Sequence, residues 1–570
     1  MLSSRIYLLV IAFIGGFTAK AQISFINNAS QLGINVTCGN TYLGNGISFF
    51  DYDNDGWDDI TIGSADGDEI HFLKNINGNF VEQTLNISTN NWQNKQINWV
   101  DIDNDGDNDL FVTSDNSSVK LYENLGNMIM QDITATSGML TDAFPTYGAS
   151  WGDYNNDGFL DVFLSIWDLD VPNILYKNNG DNTFTLVNSE AGLLSTGFLS
   201  FCSAFFDYNN DGFQDIYVSN DRSYNPNLLY KNNGDGTFTE VGEISGTDVT
   251  IDAMSVTIDD YNADGWLDIY ITNDIPGNVL LKNNGDGTFT NMAQQTQTTF
   301  NSVGWGAVFL DADNDKDLDL YVSGEHDGSV LGYLSSAFYE NNNDGTFSID
   351  NSSIPNDFAV SYSNAIGDTD NDGYPEIVVN NINHDNIFLW KNNSLQSNNW
   401  LKIKLEGTQS NKNGIGSLIE ISISGQKQYR YTLCGEGYLS QNSATEIFGL
   451  GSNTTIDYVK VKWLSGIEDI VYGADINRVL HIVEGSTLSL AESDLDTIVI
   501  FPNPVTNVLN IYGETDISKI EIYNALGNRV LSIKGNNGIK PLDLSSLNSG
   551  LYIIKIFSFD SSITSKFIKQ

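Results

Sequence analysis

The residues of this chain best suited to chemistry are acids set at alternate positions. Asp51, Asp53, Asp55 and Asp59 occupy positions 1, 3, 5 and 9 of DYDNDGWDD, and the chain writes that pattern seven times. The second and third copies place Asp101, Asp103, Asp105 and Asp109, then Asp153, Asn155, Asp157 and Asp161. The fourth and fifth place Asp207, Asn209, Asp211 and Asp215, then Asp260, Asn262, Asp264 and Asp268. The last two place Asp311, Asp313, Asp315 and Asp319, then Asp368, Asp370, Asp372 and Glu376. Hard oxygen donors at every second residue, around a sharp Gly turn, are what calcium coordination demands. The backbone carbonyl of position 7 is the expected fifth ligand, from Trp57, Asp107, Phe159, Phe213, Trp266, Asp317 and Tyr374 in turn. Up to seven calcium ions are expected.

The copies are expected to differ in strength. Asn155, Asn209 and Asn262 lower the ligand charge of three loops. In the sixth, Lys316 stands where the others have Gly, which costs about 1 kcal/mol if the position needs positive φ. Its ammonium is also expected near the ion, so the sixth site is expected to be the weakest. In the seventh, Glu376 is one methylene longer and follows Pro375, which leaves its ligation open.

The elements that position these loops are strands. Runs such as DITIG, DLFVTS and DIYVSN follow the loops, and NGISFF or GWGAVFL precede them. Position 12, where an EF-hand needs a bidentate Glu, holds Ile62, Val112, Leu164, Val218, Ile271, Val322 and Val379, so the EF-hand reading fails. A second motif, LYKNNGDGTFT and its variants, reads as a hairpin with an Asn-Gly or Asp-Gly turn. Each repeat thus supplies about four strands. The loops begin 50, 52, 54, 53, 51 and 57 residues apart, the period of propeller blades. The last repeat lacks its returning strand after FLWKNN. ISFINNASQLGI, Ile23 to Ile34, resembles the missing piece and is expected to complete that blade.

On these motifs, residues 22–398 resemble FG-GAP or VCBS-type repeats, the calcium-loop blades of integrin-α-like seven-bladed propellers. Residues 399–485 carry GIGSLIEI, CGEGYLSQNS, IFGLG and VKWLSG and resemble the ASPIC/UnbV domain, with Leu464 where that family usually has Pro. A polar linker at 486–499 leads to FPNPVTNVLNI and LNSGLYIIKI. Residues 500–570 resemble the type A C-terminal sorting domain of the type IX secretion system. That resemblance implies export across the outer membrane of a Bacteroidota-type cell, with the secretion machinery as a partner. The fold class expected is all-β: a seven-bladed propeller, a small β domain and a C-terminal Ig-like β-sandwich.

Residues 1–21 read as an export signal, with Arg5, a short apolar core and Ala19-Lys20-Ala21 before the cleavage point. No later stretch is long enough to span a bilayer as a helix. A secreted or outer-surface protein, exported through the periplasm, is expected. The formal charge of −47 argues against nucleic acid and anionic membrane partners. Positions 1, 3, 5 and 9 of the loops hold 25 of the acids, and seven dications would leave a charge of −33. Cys38, Cys202 and Cys434 are expected to be buried free thiols. GIGSL at Gly414 and GLGSN at Gly449 read as turns rather than phosphate loops. His326 and His384 read as surface-loop residues, and Trp57, Trp266 and Trp305 as packing residues rather than sugar platforms. No G-x-S-x-G, H-E-x-x-H or Cys/His pairing occurs, so no enzyme activity is expected. The function expected is binding or adhesion to an extracellular protein or glycan. The alternatives are a carbohydrate-active lyase or hydrolase working in the propeller channel, and a structural surface-layer component.

Overall fold

The computed structural model describes residues 23–87, 92–487, 499–512, 518–524, 528–534, 541–557 and 562–570. The expected signal at 1–21 and most of the linker at 486–499 lie outside the described residues. The chain forms two compact units, Met1–Ser486 and Thr487–Gln570.

In the first unit, seven four-stranded antiparallel meanders follow one another, and here they are called blades. Blade 1 runs Ile47–Phe50, Asp59–Ile62, His71–Ile76 and Asn79–Gln83. The first two strands are buried throughout, because neighbouring blades cover both of their faces. The outer strand buries only Phe80 and leaves its other residues exposed or half-exposed. Innermost strands of consecutive blades touch, and Ile47–Phe50 of blade 1 touches Ser361–Gly367 of blade 7. Phe25–Asn27 pairs antiparallel with Phe388–Asn392 and supplies the fourth strand of blade 7, as the N-terminal sequence led us to expect. Phe25 is fully buried and packs on Phe338 of blade 6, with ring centroids 5.6 Å apart.

Residues 399–485 add two sheets. Asn399–Glu406 lies between Thr445–Gly451 and Val479–Val483, and Leu418–Ile423 lies between Gln426–Tyr431 and Tyr458–Lys462. Leu401, Ile403, Ile419, Phe448, Val461 and Trp463 form their core. This cap rests on the ends of the blades that carry the acidic loops. Its Gly449 corrects one expectation: it lies inside the strand Thr445–Gly451 and not in a turn. A Cβ there would come 2.0 Å from Asp311 Oδ2, so glycine is what lets the cap approach the sixth loop.

Between Gln426–Tyr431 and Thr445–Gly451 the cap sends a long loop down the propeller axis. The inner edge of every blade presents backbone groups that need partners. Trp151 N–H donates to Cys434 O (2.8 Å), and Gly437 exchanges hydrogen bonds with Val256 (2.7 and 3.2 Å). Ser440–Gln441 adds a short parallel strand to Ile47 and Ser48. Gln441 accepts from Trp99 N–H (2.8 Å) and donates to Trp99 O (2.7 Å). Asn442 accepts from Ile366 N–H at 2.9 Å. The fully buried Tyr438 packs against Trp305 (4.8 Å), Phe201 (5.9 Å) and Tyr362 (6.3 Å). The loop thus touches every blade and fills the channel where it passes. Gly435 permits this, since a Cβ there would lie 2.1 Å from Ala149 O.

The three cysteines are buried free thiols, as expected, and burial pushes the Cys38 and Cys202 thiols up to about 12. In the second unit, Val499–Phe501, Val508–Tyr512 and Leu542–Asp543 form one sheet. Arg529–Lys534, Lys519–Asn524, Gly550–Phe557 and Ser562–Lys569 form the other. Leu509, Ile522, Ile554 and Phe567 make their shared core.

Candidate metal centres

Each acidic loop turns from the innermost strand of its blade into the second. In the first loop, Asn54 (φ 58°) and Gly56 (φ 90°) take left-handed backbone, which aims the loop amides inward. Asp51 accepts from Asp55 N–H (2.9 Å) and Gly56 N–H (3.0 Å), and Asp55 accepts from Trp57 N–H (3.1 Å). Asp59, fully buried, accepts from Tyr52 N–H (3.3 Å) and Asn75 N–H (2.7 Å). The same bonds to positions 1 and 9 recur in the fourth loop, at Asp207 and Asp215. The position-7 rings of Phe159, Phe213 and Trp266 lie over the hairpin glycines Gly180, Gly234 and Gly285.

Ligand oxygens of Asp51, Asp53 and Asp59 lie within 4.8 Å of one another. The same holds for Asp101, Asp103 and Asp109, for Asp311, Asp313 and Asp315, and for Asp368, Asp370 and Glu376. Glu376 therefore takes its place in the seventh cluster despite its length and Pro375. Loops three, four and five have Asn at position 3, and there the acids at 1, 5 and 9 carry the charge.

Burial, reinforced by neighbouring acids, raises these carboxyls. Asp51 is pushed up to about 6, Asp101 to about 7, Asp109 to about 8 and Asp59 to about 9. Burial drives Asp161, Asp215, Asp268 and Asp319 well above the carboxylate range. A cation would relieve the repulsion among clustered, desolvated acids of this kind. The donor set fits a divalent one. Asp53 Oδ1 and Asp101 Oδ1 are buried without a hydrogen-bond partner, and ammonium groups sit where a cation belongs. Lys74 reaches Asp53 and Asp55, Lys177 reaches Asp157 (3.1 Å), Lys282 reaches Asp264 (2.9 Å) and Lys391 reaches Asp370 (2.6 Å).

These lysines revise the expected order of strength. Lys316 does take positive φ, 91°, and its ammonium donates to Gln426 of the cap at 2.8 Å. The third-strand lysine is replaced by Glu123 in the second blade and Glu340 in the sixth. The seventh cluster faces two ammoniums, since Lys402 of the cap also lies 3.4 Å from Asp368, and so does the first, since Lys404 of the cap lies 3.8 Å from Asp51. In a calcium titration the second and sixth sites, which lack the third-strand lysine, are expected to fill before the first and seventh. Removing one ammonium charge with Lys391→Gln is expected to tighten the seventh site roughly fivefold, as calorimetry would read.

Two sets of residues escaped the sequence reading. One is the asparagine at or next to the end of each third strand: Asn75, Asn124, Asn178, Asn232, Asn283, Asn341 and Asn392. Its N–H donates to the position-9 carboxylate, its amide donates to the position-8 carbonyl, and its oxygen accepts from the hairpin, as at Asn232. The signal was present, since this Asn recurs in every LKN or LYKN motif. The other is position 4. Asn54 donates to Gly106 O (3.0 Å), Asn104 to Gly158 O (2.8 Å), Asn156 to Gly212 O (3.0 Å) and Asn210 to Gly265 O (3.2 Å). Asn314 donates to Gly373 O (2.9 Å), and Asn371 returns to Gly56 O (3.0 Å). Loop is thus tied to loop around the ring, except at Ala263, which holds φ 55° with no amide to donate. Ala263→Asn is expected to add the missing link to Lys316 O and ease the left-handed backbone. A gain of about 1 kcal/mol is expected, read as a higher melting temperature in calcium.

Family models agree with the order of these parts along the chain. A model described as "FG-GAP-like repeat" matches residues 51–112, 101–164, 153–218, 207–271 and 260–322. "ASPIC and UnbV" matches residues 407–489, and "Secretion system C-terminal sorting domain" matches residues 499–570. Cartilage acidic protein 1 of Mus musculus is 22% identical over 497 residues, 78% of this chain and 74% of that protein. Its Xenopus tropicalis counterpart is 25% identical over 291 residues, and the match spans 43% of that protein. Among solved structures, the PorZ surface component of the Porphyromonas gingivalis type-IX secretion system aligns at TM-score 0.26 and 10% identity, over 92% of this chain and 81% of that one. The sorting domain indicates export to the outer surface or beyond, and no helix among the described residues is long and apolar enough to cross a membrane. The chain is an exported protein of FG-GAP-like repeats, arranged as propeller blades, followed by an ASPIC/UnbV domain and a secretion-system sorting domain.

Proposed function

We propose that this protein is a calcium-loaded binding module, displayed at or beyond the cell surface, which holds a protein or glycan ligand on the face away from its metal loops. One observation carries the reading: the cap covers the metal-loop face, and its inserted loop occupies the axis. Strands alternate in direction, so the turns between second and third strands lie at the opposite end of each blade. That face, open in the first unit, carries large exposed side chains: Tyr42 (61%), Tyr224 (65%), Phe358 (63%) and Leu331 (100%). Exposed apolar groups gathered on one face mark an interaction surface. The ions hold the scaffold and the opposite loops hold the ligand. With the axis filled by Tyr438 and its neighbours, a sugar chain has little room to thread, which favours binding over catalysis in the channel. The test is an array of surface proteins and polysaccharides probed with the mature chain in calcium. Hits are expected for the parent and loss for Tyr224→Asp with Leu331→Asp, two substitutions that leave the core intact. Release of products from a polysaccharide, or hits indifferent to both substitutions, would overturn the reading.

A further inference from the structure

The ring of hydrogen bonds that joins metal loop to metal loop is open at one point, and a cleft lies there. In the other six loops the position-6 carbonyl accepts from the position-4 asparagine of the loop before it. Ala263 holds position 4 of the fifth loop, so the Lys316 carbonyl goes without the donor its counterparts have. A cleft of about 200 Å³ opens at this gap, between the fifth and sixth loops and the cap strand Gln426–Tyr431. Ala263 and Asn343 are exposed at its mouth, and Tyr429 is half-buried in its wall.

Gln428 of the same wall is only 5% exposed. Its Nε2 donates to Gly449 O (2.8 Å), while its Oε1 is buried without a partner. A buried acceptor left unfilled costs about 1–3 kcal/mol, so an incoming donor is favoured there. The charges of the wall narrow the choice of donor. Asp260 and Asp317 stand with Lys316 and Arg430, two of each sign, which favours neither an anion nor a cation. These groups also have partners already. Lys316 donates to Gln426 (2.8 Å), Arg430 donates to Tyr429 O (2.8 Å), Asp317 accepts from Asn343 (2.6 Å), and Asp260 belongs to the fifth metal loop. What remains is a pair of neutral carbonyl acceptors near the Tyr429 ring. Hydroxyls on a carbon ring match that pairing, with O–H for the carbonyls and C–H for the aromatic side chain. Sites for drug-sized ligands run to roughly 300–1,000 Å³, so this smaller cleft suits about one such ring.

We propose that the cleft at Ala263 seats one neutral sugar ring, whose hydroxyls donate to Gln428 Oε1 and the Lys316 carbonyl and whose C–H groups pack on Tyr429. The site lies on the capped side of the molecule, so it is separate from the open face and does not depend on what that face binds.

The test titrates the mature chain in calcium with methyl glucoside, methyl galactoside and methyl mannoside, followed by ligand-observed NMR, with glucuronate and glucosamine as charged counterparts. At least one neutral glycoside is expected to bind, and more tightly than either charged sugar. Ala263→Asn fills the gap with the missing amide, and Tyr429→Ala removes the ring. Each is expected to weaken binding about tenfold or more. Because Ala263→Asn is expected to raise the melting temperature, its loss of binding cannot be a loss of fold. Ile244→Asn, which places the same amide on the exposed segment after blade 4, is expected to change nothing. No binding of any neutral glycoside by the parent overturns the sugar site. So does full binding by Ala263→Asn or Tyr429→Ala, or a charged sugar that binds as tightly as the neutral ones. None of these substitutions lies on the open face, so the binding-module reading stands or falls on its own array.

Discussion

Moving the mature chain from about 2 mM calcium into excess chelator is expected to lower its melting temperature by on the order of ten degrees. A site that binds only the folded state stabilises it by RT ln(1 + [Ca]/Kd). With a Kd of about 0.1–1 mM, typical of extracellular modules, each site contributes about 0.7–1.8 kcal/mol, and seven contribute about 5–13 kcal/mol. The effect should depend on pH in a direction the carboxyls dictate. Asp59, Asp109 and Asp101 titrate in the fold near 9, 8 and 7, above the 3.8 of an exposed carboxyl. A group raised on folding stabilises the fold when protonated, and that stability is lost as the pH rises through the folded value. In chelator the protein is therefore expected to become more stable as the pH falls from about 9 toward 5. In calcium, protons and ions compete for the same oxygens, so acidification weakens binding. The melting curves with calcium and with chelator should converge near pH 5 and stand furthest apart near pH 8. A chelator effect absent at pH 8, or equal at both values, would show that the clusters are not cation sites.

The parts of this architecture that were legible in the sequence repeat locally. Alternating acids, a β-rich run on either side and an Asn-Gly hairpin recur about every fifty residues, and each recurrence answers the same local demand. The N-terminal strand could be placed because ISFINN fills a gap in that period. The rest depends on contacts between residues far apart in the chain. The tie from Asn371 to Gly56 crosses 315 positions and exists only once the ring has closed. The bond from Lys316 to Gln426 crosses 110, and nothing near Lys316 in sequence shows where its ammonium goes. CGEGYLSQNS occurs once, marks only a family resemblance in the sequence, and acquires its role only when seven inner edges surround it.

That inserted loop supports the second large prediction. Tyr438→Ala is expected to destabilise the first unit by about 3–5 kcal/mol, the usual cost of removing a large buried aromatic side chain. The ring is fully buried, and its hydroxyl donates to Leu43 O at 2.7 Å. Truncation removes ring contacts to blades 4, 6 and 7 and leaves a cavity on the axis. The position matters as much as the volume. Blades and cap form one compact unit because this loop bonds along the inner edges, while Lys402, Lys412 and Asn413 tie the cap to the acidic loops. Weakening the loop is therefore expected to uncouple the cap, so that one cooperative melt becomes two, with the cap released first. Tyr438→Phe keeps the ring and loses only the bond to Leu43, so it should cost about 1 kcal/mol and keep a single transition. A pair of melts, followed calorimetrically and by proteolysis at the 399–485 boundary, separates these outcomes. If Tyr438→Ala melts as cooperatively as the parent and within about a degree of it, the axial loop is a passenger, and the metal-loop contacts alone hold the cap in place.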